Sequence, residues 1–277
     1  MASGSINEDI GLFGPASTIW RVNRESVVTL GGTCAILMQF AHPKVAAGVH
    51  DHSEFEVDPA GRLRRTLDLT MELVFGTRQQ ALEAARTINR RHDAVVGPNY
   101  SAKDPKLLLW VQATLVYSAV HTYRTFVGSL SAAQADGYYQ DTKEIGVLLG
   151  IPHEIYPAHV DQLMAYLDGI IESGEVAVGD TAREMAAVVL QPRFPGVPRM
   201  ALMPLKTITA GLLPAPLRPQ YGLKWGRRQQ VAFVLYARVM PRLVSVAPPM
   251  LRFLPAARAA YRRVKTRRSR RLASEVS

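Results

Sequence analysis

The chain carries a helical pattern of apolar residues from end to end, and no segment alternates polar and apolar residues over the length of a strand. Asp58-Pro59 has the form of an N-cap followed by proline at the first helical position, and Gly76 stops the helix that they open at about Phe75. Thr77 and Gln80 have capping-box spacing and predict that the next helix begins at once and ends near Val96-Gly97-Pro98. The pattern predicts an all-α fold.

Further helix signals follow the same logic. A long apolar segment runs from Ser17 to Phe40, and Asp104-Pro105 predicts a helix to about Phe126. Ser131 with Gln134, and Thr181 with Glu184, mark two more starts. After Gln191 prolines recur, so helices there should be short or kinked. We expect this second half to be a proline-rich helical cover on the first, within one domain.

Positive charge is concentrated at the C-terminus. The net charge is +10, and from Arg252 onwards nine Arg or Lys face one acid, Glu275. We therefore divide the chain into a domain at 10–255 and a basic tail at 256–277. Such a tail suits peripheral contact with an anionic membrane, or it is a solubilising segment. Nucleic acid is the weaker alternative because Tyr261 is the only aromatic residue in the tail at 256–277.

The one cysteine, Cys34, excludes an intramolecular disulfide and suits a reducing compartment such as the cytoplasm. The first eight residues show no signal peptide, lacking a basic start and an apolar stretch. Residues 107–123 are free of charge but include Gln112, Ser118 and His121, so we expect a buried helix there and no membrane span.

His92 is a candidate ligand for a cofactor. It shares the apolar face of its helix with Ala81, Ala84, Ala85, Ile88 and Val95. Because three of these neighbours are alanines, the surface beside the imidazole should be shallow enough for a flat molecule. A histidine on such a face can equally be an ordinary core residue, and His121 has the same kind of position on its own helix.

The preceding helix places polar groups opposite. Arg62, Arg65 and Thr66 share one face, and Arg62 lies 14 residues before Gly76 while His92 lies 16 after it. At about 1.5 Å per residue these are roughly 21 and 24 Å from the turn, so the groups should meet at similar height. Imidazole, guanidinium and hydroxyl suit haem, whose iron takes histidine and whose propionates take arginine. The arginines could instead pair with surface acids.

A second cluster comprises three histidines and three acids: His42, His50, His52, Asp51, Glu54 and Glu56. These residue types could bind zinc or non-haem iron, but their spacing matches no established metal signature, and a solvated polar turn is the alternative. The chain has no glycine-rich phosphate loop, no G-x-S-x-G and no C-x-x-C.

A series of short motifs, in order, carries a resemblance to a known family. They are Gly14-Pro15, Trp20-Arg21-Val22, Arg24-Glu25, Gln39-Phe40-Ala41-His42-Pro43, Gly48-Val49, His52-Ser53, Arg62-Leu63 with Thr66, Phe75-Gly76-Thr77, His92 with Val95 and Gly97, Asp104-Pro105, Trp110-Val111, Gly150-Ile151-Pro152, Leu213-Pro214, Leu217-Arg218, Tyr221-Gly222-Leu223 and Trp225. Over about residues 10–255 the chain resembles the rubber-oxygenase catalytic domain family, which includes latex clearing protein and the ER-bound oxygenase of mycophenolic acid biosynthesis.

The resemblance implies a globin-like helical core, haem b and dioxygen chemistry on an apolar, unsaturated substrate of isoprenoid or lipid-like kind. The family's Arg-x-x-Lys-Thr run matches residues 62–66, with Arg65 in the lysine position, and His92 matches the proximal ligand. This match favours His92 over His121. A glutamate proposed as the family's base has no clear counterpart, and Glu54 and Glu56 are the nearest. A non-catalytic haem- or lipid-binding protein is the alternative function.

Overall fold

The computed structural model describes residues 10–52, 59–191 and 199–276, and over these ranges the chain is an all-α single domain. The α-helices are α1 (Thr18–Asn23), α2 (Gly31–Ala41), α3 (Pro43–His52), α4 (Pro59–Phe75), α5 (Arg78–Asp93), α6 (Pro105–Phe126), α7 (Ala132–Leu148), α8 (Val160–Glu172), α9 (Asp180–Leu190), α10 (Arg199–Leu212), α11 (Leu217–Gln220), α12 (Arg227–Val246), α13 (Pro249–Arg252) and α14 (Pro255–Val276). Short 3-10 helices span Ser26–Leu30 and His153–Ile155, and β1 (Val96–Gly97) pairs antiparallel with β2 (Tyr100–Ser101).

Several helix ends form as their sequences predict. The Thr77 hydroxyl accepts from the Gln80 amide at 3.2 Å while the Gln80 side chain accepts from the Thr77 amide at 2.8 Å. Ser131 and Gln134 form the same capping box at α7. Asp104 caps α6 by accepting from the Lys106 amide at 2.9 Å. Each cap satisfies amides that the first helical turn leaves unpaired.

Three local features depart from the simple helical pattern, and at one of them, the helix start at Thr181, the prediction was wrong. The apolar segment from Ser17 to Phe40 is broken into α1, a 3-10 helix and α2. Residues 96–101 form a hairpin whose two-residue strands are too short to show any alternation. Helix α9 begins at Asp180 with Gly179 as its N-cap, so Thr181 lies inside the first turn and caps nothing.

The core is built around α2 and α6, which pack closely along their lengths. The uncharged stretch at 107–123 lies within α6 and contributes Trp110, Ala113, Val116 and Val120 to this core. No helix in the described part of the chain is long and apolar enough to cross a membrane. The uncharged segment is therefore a buried helix, as predicted.

The proline-rich half covers this core, with α10 against α2 and α12 against α6. The sequence predicted short or kinked helices here, and two of them are not short: α10 has 14 residues and α12 has 20. Each accommodates one internal proline, Pro204 or Pro241. A proline removes a single amide donor, and packing of the rest of the helix offsets that loss.

The segment that we separated as a tail begins inside the domain. Ala257 and Ala260 of α14 are buried, and Tyr261 packs edge-on against Trp20 with ring centroids 5.0 Å apart. The Arg263 guanidinium donates to the Phe75 carbonyl at 2.7 Å. The first turns of α14 are thus part of the core, and the domain extends past residue 255.

Gly31 sets the closeness of α2 to α6. A Cβ at this position would collide with the Thr122 hydroxyl and lie 3.0 Å from the Ser118 carbonyl, whereas one at Gly32 would meet nothing within 4 Å. We therefore expect Gly31→Ala to lower the free energy of unfolding by about 1–3 kcal/mol. Gly32→Ala, the matched control, should be neutral or stabilising because alanine favours helix by about 1 kcal/mol. Urea denaturation measures both, and equal effects would contradict this packing.

Candidate functional site

Helices α4 and α5 pair across Gly76 and build a small core of their own. Leu73 of α4 and Ala84 and Ala85 of α5 are buried together, with Leu69 and Ile88 packed against them. Helix α7 closes one side, where the Asn89 amide donates to the Leu148 carbonyl at 2.9 Å. This pairing presents the next residue of the α5 apolar face, His92, beyond the end of the small core.

His92 lies in the last turn of α5 with its side chain half-buried. Its Nδ1 atom is buried and has no hydrogen-bond partner among the described residues. Burial lowers the pKa of His92; nearby Asp93 opposes this and Lys103 adds to it. The ring is therefore neutral at physiological pH, which is the form that ligates a metal.

The hairpin that follows α5 braces this histidine. Tyr100 and Val95 lie against Gly48 of α3, with no room for a larger residue without displacing them. A ring nitrogen of His52, Nε2, lies 3.1 Å from the Val96 carbonyl, and the Tyr100 hydroxyl donates to Asp51 at 2.6 Å. Helix α3 and the hairpin thus fix the C-terminal end of α5.

The described polar groups of α4, Arg65 and Thr66, do not occupy a buried position. Arg65 and Thr66 are exposed, and the side chain of Arg62 lies outside the described residues. Burial along α4 declines from Leu73 through the half-buried Leu69 to these residues.

The second histidine cluster does not form as a unit. His42 is buried at the start of α3, with its ring 6.2 Å from Trp110 and its Nε2 atom 3.8 Å from a Glu175 carboxylate oxygen. His50 and His52 lie at the other end of that helix and are exposed. Over the described ranges no group of three His, Cys, Asp or Glu could hold a metal ion. Glu54 and Glu56 lie outside those ranges.

His121 lines a separate cleft of about 300 Å³. It stacks on Tyr117 with ring centroids 5.5 Å apart. The opposite wall carries Arg218, whose guanidinium lies 4.4 Å from the Trp225 ring centroid. Sequence reasoning missed this aromatic wall, although Arg218 and Trp225 stood among the family motifs; only the fold brings them to His121.

Comparison with known proteins defines the family. Residues 20–242 match the model described as "ER-bound oxygenase mpaB/B'/Rubber oxygenase, catalytic domain". The chain belongs to this family. The matched range includes α4, α5 and the hairpin, and therefore every candidate site residue from His42 to His121. Membership of this family supports the conclusion that the protein is an enzyme, and specifically an oxygenase.

Two relatives are themselves uncharacterised. Mb2261 of Mycobacterium bovis and Rv2237 of Mycobacterium tuberculosis are each 29% identical to this chain over 212 residues, covering 72% of it and 81% of the relative. No solved structure matches the chain significantly. Membership of the rubber-oxygenase family thus rests on the match to the family model. The names of the two relatives indicate no activity.

Acidification should destabilise this oxygenase-family domain. Burial lowers the pKa values of His42, His92 and His121 below the ordinary 6.5. As the pH falls, the unfolded chain therefore takes up protons at a higher pH than the folded protein does. The stability that the neutral imidazoles contribute is complete above about pH 6.5, and it is lost as the pH falls from there to the folded pKa values. Each histidine can contribute a slope of at most about 1.4 kcal/mol per pH unit.

Denaturant midpoints between about pH 7.5 and pH 5.5 test this dependence. We expect the free energy of unfolding to fall across the interval and His121→Gln to make its slope shallower. A flat profile, or one that rises on acidification, would contradict the burial of neutral imidazoles.

Proposed function

We propose that this protein is a haem b-dependent oxygenase that acts with dioxygen on an apolar, unsaturated substrate of isoprenoid or lipid-like kind. The observation that carries the proposal is the unpaired, buried Nδ1 of His92 in a chain of the rubber-oxygenase family. A buried imidazole nitrogen without a partner is costly to a fold unless a ligand satisfies it.

The proposal gives His92 the role of axial ligand. Its lowered pKa keeps the ring unprotonated, so binding of iron would not have to compete with a proton. The hairpin brace through Tyr100 and His52 would hold α5, and with it the ring, in one position.

Residues of α4 would contact the opposite edge of the cofactor. Arg62 and Arg65 would bind propionates, and the Thr66 hydroxyl would donate to a carboxylate or polarise dioxygen. Arg65 retains the charge of the lysine that it replaces in the family pattern but offers a planar fork in place of a point charge. Haem bound there would supply the redox chemistry that dioxygen needs to react with an alkene.

Oxygen uptake by the haem-loaded protein tests the activity. We expect consumption of dioxygen with squalene, a polyisoprene oligomer or oleate, and none with squalane, the saturated counterpart of squalene. Mass spectrometry should find oxygen in the product. Free haemin at the same concentration is the control for uncatalysed oxidation.

A protein that binds haem but consumes no dioxygen with any of these alkenes would contradict an oxygenase and favour a non-catalytic haem or lipid carrier.

We also place the protein in the cytoplasm, since buried Cys34 is its only thiol and suits a reducing compartment.

A further inference from the structure

Helix α12 has an inner face that packs and an outer face that does not. On the inner face, Phe233 packs edge-on against Phe126 and Trp225, with ring centroids 6.1 and 5.9 Å apart, and Tyr236 and Met240 pack on the core. The outer face exposes large apolar side chains that continue onto α13. They form the α12 stripe: Val231, Leu235, Val239, Leu243, Val246, Met250 and Leu251.

The stripe is continuous and highly exposed. Its members on α12 recur at steps of three or four residues, which places them along one side of the helix. Val246, Met250 and Leu251 are 80%, 73% and 72% exposed. Single exposed apolar residues are ordinary, but a row of seven over two consecutive helices marks an interaction surface.

Cations accompany the stripe along the same helix. Arg227, Arg228, Arg238 and Arg242 are all exposed on α12. The sequence contains no Asp or Glu between Glu184 and Glu275, while 18 of its 33 Lys and Arg fall in that interval. The stretch of sequence that contains the stripe therefore carries positive charge and no carboxylate of its own.

We propose that the α12 stripe docks on an anionic lipid bilayer, with α12 lying in the plane of the interface. Leucine and valine side chains would enter the acyl boundary while the arginines reach the headgroup phosphates. A second copy of the chain is disfavoured as the occupant, because identical faces would bring arginine against arginine with no acid in the segment to offset the repulsion.

This surface differs from the C-terminal tail that the sequence pointed to. The first turns of α14 are held in the core by Ala257 and Ala260, and the described tail lacks a comparable row of exposed large apolar residues. The stripe and the arginines beside it supply the two contributions to binding at a membrane surface, which are burial of apolar area and attraction between charges. The docking is independent of haem and of the proposed reaction.

Vesicle co-sedimentation of the full chain tests the docking. The probes are phosphatidylcholine vesicles with and without roughly 30 mol % phosphatidylserine. We expect binding to the anionic vesicles that weakens with added salt and is poor on neutral ones. Leu235→Gln with Leu243→Gln should reduce the partition coefficient about tenfold or more, and Arg238→Gln with Arg242→Gln should remove the preference for anionic lipid.

A matched control uses exposed apolar residues on other faces. Leu115 and Val147 are 48% and 44% exposed, so Leu115→Gln with Val147→Gln alters comparable side chains away from the stripe. The control should sediment like the unaltered protein. Equal losses in the two double variants, or no binding by the unaltered protein, would overturn the proposal. So would a dimer in light scattering that only Leu235→Gln with Leu243→Gln dissociates.

Discussion

Protein with His92→Ala should be purified with less than about a tenth of the haem found in the unaltered protein, because the substitution removes the proposed axial nitrogen. The side chain is at the edge of the small α4–α5 core and makes no hydrogen bond through Nδ1, so the fold should survive its loss. Haem content per chain, measured beside a circular dichroism melt, separates loss of the ligand from loss of the fold.

Two further variants sharpen this result. His121→Ala removes an imidazole of similar burial from the separate cleft and should leave the haem content unchanged. His92→Gly supplemented with free imidazole should regain haem, since a small ligand can enter the space that the side chain leaves. Full retention of haem by His92→Ala, or its loss in His121→Ala alone, would overturn the assignment of His92.

Glu25→Gln should lower the free energy of unfolding by about 3 kcal/mol or more, the usual cost of breaking a buried ion pair. The carboxylate is fully buried and takes a two-pronged contact from Arg252, with Nε and Nη2 donating at 2.8 and 3.0 Å. Arg24 adds a third contact at 3.4 Å. Neutralising the acid leaves the Arg252 guanidinium, only a quarter exposed, without its partner.

The contacts around Glu25 tie the two ends of the domain together. Glu25 pairs through its backbone with Phe253, and the Leu254 amide donates to the Arg24 carbonyl at 2.9 Å. Glu83→Gln is the control, since Glu83 pairs with Arg86 and Arg90 only at the surface and should change stability by about 0.5 kcal/mol at most. Equal effects of the two substitutions on the urea midpoint would contradict a stabilising role for the buried contact.

Helix ends that are capped by residues close along the chain could be predicted from the sequence. Thr77 with Gln80, Ser131 with Gln134, and Asp104 before Pro105 each cap a helix through residues within three positions. These features depend on neighbours along the chain.

Features that depend on distant partners could not be predicted. The break between α1 and α2 occurs where residues 24–26 meet 251–254, more than two hundred positions away. The one signal was that Glu25 is the only acid between Asp9 and Asp51. The Thr181 error has a local cause: the helix is capped two residues earlier, at Gly179.

The candidate site was predicted in part for the same reason. Helical periodicity placed His92 on the apolar face of α5, where it lies half-buried beyond Ile88. Periodicity also placed Arg65 on the inner face of α4, but burial there ends at Leu69 and Arg65 is exposed. A face is a local property of a helix, whereas its burial depends on which element packs against it.

The absorption spectrum of the purified full chain, with a pyridine haemochrome assay for the amount and type of haem, tests most directly whether His92 holds a haem iron. We expect a Soret band and close to one haem b per chain, both lost in His92→Ala. A protein without haem that also fails to take up added haemin would overturn the proposed role of His92.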